Sequence, residues 1–315
     1  MRAVTRWATR VVVTGGAGFV GSHLVDALLA EGRVDVTVVD NLTRGRLSNL
    51  AAWQDDPRLS VVRADVRDLD AMRCALRGAS LVYHLAAQAT VMGAARDPEY
   101  AFGTNVIGTY NVLTGAVEEG VERVVFASSR EVYGEPVSLP VLESHPLLSI
   151  NTYGSTKVAG EALCRAFAHE RHLETIVLRL ANVYGERDFG RVIPQWIEGA
   201  TRGSDLVVYG GDQVIDFIWV GDVVLALLAA GRSELPLPAI NVASGTGTKI
   251  LDLAKRILGL SGSGAQTRVV PGRPIEVTRF VASTDRMEQL LGLAPATDPL
   301  SHLGGMIRTV AGAAA

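Results

Sequence analysis

Sulfur is scarce in this chain of 315 residues: it has two cysteines, Cys74 and Cys164, neither with metal-ligand spacing around it. That excludes a disulfide framework and leaves no metal site to expect, so both cysteines read as ordinary core residues. Long apolar runs are missing too, since nowhere do about 18 apolar residues follow one another, the length needed to cross a bilayer. The N-terminal MRAVTRWATR lacks the apolar centre of a secretory signal and leads straight into a strand-like run, so a cytoplasmic location is expected. Charge of one sign is also absent. Thirty Lys and Arg stand against 33 Asp and Glu, for a formal net charge of −3, and the arginines are scattered. Neither nucleic acid nor a membrane surface is therefore an expected partner. No internal repeat or low-complexity linker interrupts the chain, and only the alanine-rich tail TVAGAAA reads as frayed.

What the chain does have is apolar bulk, 48 % of residues, enough to bury a large core. The bulk is arranged in short β-branched runs: RVVVTG (10–15), VDVTVVD (34–40), LSVVRAD (59–65), SLVYHLAA (80–87), ERVVFASS (122–129) and ETIVLRLANVYG (174–185). None alternates with polar residues, as suits strands covered on both faces. Segments of helical spacing lie between them, for example SHLVDALLAEG (22–32), which stops at Gly32. Six such units in series predict an α/β protein built on a Rossmann-type doubly wound parallel sheet.

The first strand runs into TGGAGFVGS, with glycines at 15, 18 and 21 ahead of a helix. A turn this tight needs residues without Cβ, so that backbone amides and the helix N-terminus can approach a pyrophosphate. The second strand ends in Asp40. A carboxylate there accepts from both adenosine ribose hydroxyls and repels a 2′-phosphate, which favours NAD, although Arg44 and Arg46 nearby keep NADP open. Asp65, after the third strand, falls near the adenine edge or caps a turn.

YGSTK (153–157) puts a phenol and an ammonium four residues apart at the start of a helix, with Cβ atoms about 5–6 Å apart. A free phenol titrates near 10, but a neighbouring ammonium and a cationic nicotinamide ring favour the phenolate, making Tyr153 a usable base. Alone the pair could be a solvated helix face. Here it follows a nucleotide-binding pattern and a strand ending in Ser128 and Ser129, the setting of a catalytic site.

With GGAGFVGS, DNLTRG (40–45), YHLAAQ (83–88), Asn105 in TNVIGT, SSREVYG (128–134), YGSTK, RLANVYG (179–185) and DFIWVGDV (216–223) all in order, the chain resembles the extended short-chain dehydrogenases/reductases. Within them it resembles the NAD-dependent nucleotide-sugar epimerases and dehydratases. The resemblance implies Tyr153 as catalytic base, Lys157 as ligand of the nicotinamide ribose, and Ser129 on the sugar hydroxyl being oxidised, with Ser128 and Glu131 beside them. It implies cofactor contacts from Gly15, Gly18, Phe19, Val20, Asp40, Asn41, Asp65, Val66, Leu85, Ala86, Ala87, Asn105, Tyr153 and Lys157. Asn182 and Arg273 match positions that contact the nucleotide diphosphate. Arg187, Arg191 and Val192 fall in the loop that covers the sugar in relatives. Residues 1–179 and about 216–244 are then the NAD-binding domain, and about 180–215 and 245–315 a smaller nucleotide-sugar domain. A homodimer through helices at about 97–119 and 152–171 is implied as well.

Two departures bear on the reaction. Dehydratases carry an Asp-Glu pair before VYG where this chain has Arg130 and Glu131, and loss of the acid argues against 4,6-elimination. Glu131 is larger than the residue usual in epimerases and resembles uronate decarboxylases, or else it simply pairs with Arg130. Relatives have a diphosphate-binding arginine where this chain has Ile215. The reading is a 4-epimerase for a UDP-hexose or UDP-hexuronate, with a UDP-glucuronate decarboxylase or sugar dehydratase as the alternative. A non-catalytic NAD-binding protein is a third reading, against which Ser129, Tyr153 and Lys157 all stand.

Overall fold

The computed structural model describes residues 10–273, 275 and 277–314. All of MRAVTRWATR except Arg10 lies outside them, as does Ala315. Among the described residues thirteen strands form three sheets. In chain order they are Arg10–Thr14 (β1), Asp35–Asp40 (β2), Leu59–Arg63 (β3), Leu81–His84 (β4), Arg123–Ser129 (β5), Glu174–Leu180 (β6), Asn182–Tyr184 (β7), Leu206–Tyr209 (β8), Val214–Trp219 (β9), Ile240–Val242 (β10), Gly247–Lys249 (β11), Thr267–Val270 (β12) and Arg279–Phe280 (β13). Eleven α-helices accompany them: Phe19–Ala30 (α1), Leu69–Leu76 (α2), Val91–Arg96 (α3), Pro98–Phe102 (α4), Gly108–Glu118 (α5), Thr152–Arg171 (α6), Val192–Thr201 (α7), Val220–Arg232 (α8), Ile250–Ser261 (α9), Asp285–Leu291 (α10) and Leu303–Ala314 (α11).

Seven strands make one parallel sheet in the order β10-β6-β5-β4-β1-β2-β3. Its central strands are buried along their whole length because helices cover both faces, which is why their sequences show no alternation. The order reverses between β1 and β4, so the crevice of a doubly wound sheet opens at the C-terminal ends of these two strands. Thr14 and His84 lie there as register partners.

The run 174–185 is not one strand. It breaks at Ala181: β6 stays in the large sheet, while β7 pairs with β9 in a second sheet ordered β11-β9-β13. Strand pairing decides the break, since both halves are equally apolar. Buried Asp216 pins the second sheet by accepting from the amides of Ser244 (2.9 Å), Gly245 (3.0 Å) and Ala282 (3.2 Å). The expected return to the first domain at 216 is corrected accordingly. Residues 216–219 belong to β9, and the return starts with α8 on α1 and β10 beside β6. Helix α10 also rejoins the large sheet, with Met287 in its core, while α7, α9 and α11 pack around the smaller unit.

Three further expectations change. The helix placed at 97–119 is α4 and α5 joined by one π turn, Gly103–Ile107. Cys164 is buried but Cys74 is exposed, because the buried stripe of α2 is Met72, Ala75 and Leu76. The tail is helical through Ala314, alanine being the strongest helix former. Among the described residues no helix is long and apolar enough to cross a membrane.

Candidate active site

The glycine turn fits a dinucleotide by what it leaves out. Gly15 has φ +71°, and a Cβ there would lie 2.8 Å from the Ala86 amide nitrogen; at Gly21 it would lie 2.2 Å from the Gly15 carbonyl oxygen. Helix and strands therefore approach as a dinucleotide cradle requires. Asp40, almost fully buried at the end of β2, accepts from the amides of Ala17 (3.0 Å) and Leu42 (2.8 Å). Burial raises its pKa, while both amides oppose the rise and aim the carboxylate. Asp65 is bound by Arg67 (2.9 Å) and by the Asn41 side-chain amide (2.9 Å), and the Arg67 hydrogen bond draws its pKa down to about 2. It also accepts from the Arg67 backbone amide, so the turn-capping role is present in the structure. Val66 is buried, and Leu85 and Ala86 hang from Thr14: the Leu85 amide donates to its carbonyl (3.1 Å) and that of Ala86 to its hydroxyl (3.3 Å).

A buried polar chain links this cradle to the catalytic helix. Thr109 gives its single hydroxyl proton to the Asn105 carbonyl (2.7 Å), so it must accept from His84 Nε2 at 3.0 Å. His84 Nδ1 is then the acceptor for the Thr14 hydroxyl at 2.7 Å. This assignment keeps the ring neutral, as does burial, which pushes its pKa down to about 3. Asn105, in the π turn, donates onward to Thr156 (2.9 Å), whose hydroxyl donates to the Tyr153 carbonyl (2.7 Å). Its side-chain oxygen accepts from the Gln88 amide (2.7 Å), fixing the loop after β4 that carries Ala87. His84, Thr109 and Thr156 were missed in the sequence because a lone His or Thr in an apolar run carries no signal.

Tyr153 lies at the start of α6, which Asn151 caps by accepting from the Gly154 amide at 2.9 Å. Ser129 is the last residue of β5. Burial raises the Tyr153 phenol's pKa, and the Ser129 hydroxyl and the charges of Arg191 and Arg130 work against that rise. Lys157 donates from its ammonium to the Ala127 carbonyl (2.8 Å) over the Phe126 ring, and burial lowers its pKa to about 8. The cations that lower the Tyr153 pKa in this structure are the two arginines.

Ser128 is not brought to Tyr153. Adjacent strand residues face opposite sides of a sheet, and the Ser128 hydroxyl donates to Glu161 (2.6 Å), itself paired with Arg179 at 2.7 Å. Its grouping with the catalytic residues is corrected: it belongs to a buried ion-pair network under α6. Glu131 is held at both oxygens, by Arg130 Nη2 (2.8 Å) and by the Asn151 amide (2.8 Å). Arg130 Nε donates to Asn182 Oδ1.

The loop after β7 also divides. Arg187 pairs with Asp26 of α1 at 2.7 Å. Arg191, just before Val192 at the start of α7, donates to the Ala89 carbonyl (3.2 Å) and lies 5.7 Å from the Phe19 ring, where its charge reaches Tyr153. Phe189 is covered by Arg44 (4.8 Å) and Arg46 (4.5 Å). Arg273 lies 3.9 Å from the Tyr209 ring centroid, in the smaller unit, and Ile215 is buried in that unit's core.

A parallel sheet with a glycine-turn cradle at its switch point and a Ser-Tyr-Lys set beside it defines a nucleotide-dependent enzyme of the short-chain dehydrogenase/reductase type. The model of the NAD dependent epimerase/dehydratase family matches residues 11–243. The chain belongs to that family, and NAD is its cofactor. It is 35 % identical over 300 residues to a putative UDP-glucose 4-epimerase of Methanocaldococcus jannaschii, covering 91 % of this chain and 94 % of that protein. It is 33 % identical to UDP-glucuronic acid decarboxylase 1 of Xenopus tropicalis, over 96 % of this chain and 71 % of that one. The crystal structure of the UDP-glucose 4-epimerase of Thermotoga maritima with UDP-glucose superposes with a TM-score of 0.91 at 32 % identity, over 97 % of this chain and all of that chain.

Proposed function

We propose that this protein is a nucleotide-sugar 4-epimerase acting on a UDP-hexose or UDP-hexuronate through a transient 4-keto sugar. The observation that carries the reading is the state of Glu131. Both its oxygens are engaged, by Arg130 and Asn151, and the preceding residue is an arginine. Elimination or decarboxylation calls for groups free to act at C5 and C6, and an ion-paired carboxylate beside a guanidinium offers little for that. Chemistry at C4 needs only what Ser129 and Tyr153 provide, a phenol that takes the hydroxyl proton and a serine that holds the oxygen.

Bound NAD supplies the hydride acceptor at C4 and the donor that returns it. Gly15, Gly18 and the N-terminus of α1 would hold its pyrophosphate, Asp40 its adenosine ribose and Lys157 its nicotinamide ribose. Asn182 and Arg273 are assigned to the substrate diphosphate and Arg191 to the sugar. A decarboxylase is the second reading, favoured by Glu131 itself, whose charge reaches Tyr153, and by relatives that bear that name. A homodimer fits the exposed Phe102 and Tyr110, the latter edge-on to Phe167 of α6 at 5.8 Å. The cytoplasm is the proposed location.

Proton NMR of the purified protein with UDP-glucose and, separately, UDP-glucuronate, with no NAD added, tests the reading. A C4-inverted product is expected. A pentose product would mean decarboxylation, and a stable 4-keto product dehydration.

A further inference from the structure

Arg130 is the residue whose bonding is incomplete. Its side chain is 9 % exposed and held on three sides: Nε donates to Asn182, Nη2 pairs with Glu131 at 2.8 Å, and the guanidinium lies 5.4 Å from the Phe280 ring centroid. The third nitrogen, Nη1, is buried and has no hydrogen-bond partner among the described residues. Buried guanidinium N–H groups are costly to leave unpaired and are normally satisfied by an acceptor.

The surroundings indicate which acceptor is missing. Arg130 follows Ser129 directly, and its charge reaches the Tyr153 phenol, so it stands beside the two residues proposed to act on the sugar. On its other side it holds Asn182. Phe280, against which it packs, is the register neighbour of Ile215, so the adjacent strand offers an apolar side chain where a cation could stand. Protein groups already fix the guanidinium in place, and the open N–H groups are therefore pre-aimed.

We propose that Arg130 Nη1 is the chain's receptor for an anionic oxygen of the nucleotide sugar. The inference rests on the nucleotide-sugar reading above and is independent of whether the reaction is epimerisation. Two oxygens have this chemistry, one on the diphosphate and one on a C6 carboxylate. Because Glu131 already balances the guanidinium, the contact works through direction more than net charge.

Isothermal titration of the NAD-loaded protein with UDP, UDP-glucose and UDP-glucuronate tests it by binding alone. Removing Arg130 would strand the Glu131 charge, so the variant is Arg130→Met in a Glu131→Gln background, compared with Glu131→Gln itself; Arg130→Lys is the second variant. Retained NAD, measured after denaturation, shows that the fold is intact. An equal weakening of about tenfold for all three ligands, or about 1.4 kcal/mol, supports the proposal and identifies the diphosphate. A loss confined to UDP-glucuronate supports it and identifies the carboxylate. Unchanged affinities in both variants, or a loss for UDP-glucose without one for UDP, would overturn it. Failure of the nucleotide-sugar reading looks different, because the unmodified protein would then bind none of the three.

Discussion

Asn151 and Glu131 are joined by a single amide that does two tasks. Its oxygen accepts from the Gly154 amide and starts α6, while its nitrogen donates to Glu131 Oε2 at 2.8 Å. Tyr153 stands two residues beyond that cap. The position of the proposed base is thus tied to the residue whose engagement separates one reaction of the family from another.

Replacing Asn151 separates the two tasks. Asn151→Ala removes both and should lower stability by about 1 kcal/mol for the cap, with a further loss from the freed carboxylate. Asn151→Asp keeps the cap and sets a second carboxyl group against Glu131, so it should retain helix stability at low pH and lose it as the introduced carboxyl ionises. Thermal unfolding from pH 4 to 8 checks this. Parallel curves for the two variants would show that the Glu131 contact contributes nothing.

Tyr153→Phe deletes the phenol and leaves the packing of α6 in place. Turnover should fall by at least about 10² to 10⁴, the usual contribution of a positioned acid or base, with bound NAD unchanged. Ser129→Ala should fall less, since the serine's proposed part is to hold the sugar oxygen and not to move its proton. Full activity in Tyr153→Phe would remove the proposed base and, with it, the assignment of the site.

Much of this was legible along the chain, for identifiable reasons. The central strands could be read because both faces are buried, the cradle because Gly15 and Gly21 have no space for a Cβ, and the start of α6 because of the Tyr-Lys spacing. What could not be read depends on partners distant in sequence. Ala181 divides two strands that look alike, and only pairing with β9 separates them. Ser128 and Ser129 are chemically identical and are distinguished by the face of the sheet. The ion pair of Arg187 with Asp26 bridges separate elements, and no local pattern could announce it.

Phe189 offers a test of cofactor choice. Arg44 and Arg46, the residues able to receive a 2′-phosphate, both lie over its ring, and Arg44 also donates to its carbonyl at 3.3 Å. Each cation–π contact is worth roughly 0.5–1 kcal/mol when exposed. Phe189→Ala should therefore release both guanidiniums and narrow the preference for NAD over NADP by up to about tenfold, read by fluorescence titration with each dinucleotide. An unchanged ratio would leave Asp40 as the sole determinant.

Asp188 makes a prediction whose sign follows from its surroundings. Its side chain is 3 % exposed, one oxygen pairs with Arg191 at 3.4 Å and the other, Oδ2, is buried without a hydrogen-bond partner among the described residues. Burial lifts its pKa to about 6, more than Arg191 and Arg44 pull it down. The folded chain therefore holds this proton more tightly than the unfolded chain does. The resulting stability is fully present below the unfolded value near 3.8 and is lost as pH rises through about 6. Across that window the loss amounts to roughly 3 kcal/mol. Asp188→Asn cannot titrate, so its Tm relative to the unmodified protein should climb between pH 4 and pH 7 by several degrees and then level off. Equal pH dependence in the two proteins would place Oδ2 in contact with water or a donor, and the buried-carboxylate account of this loop would fail.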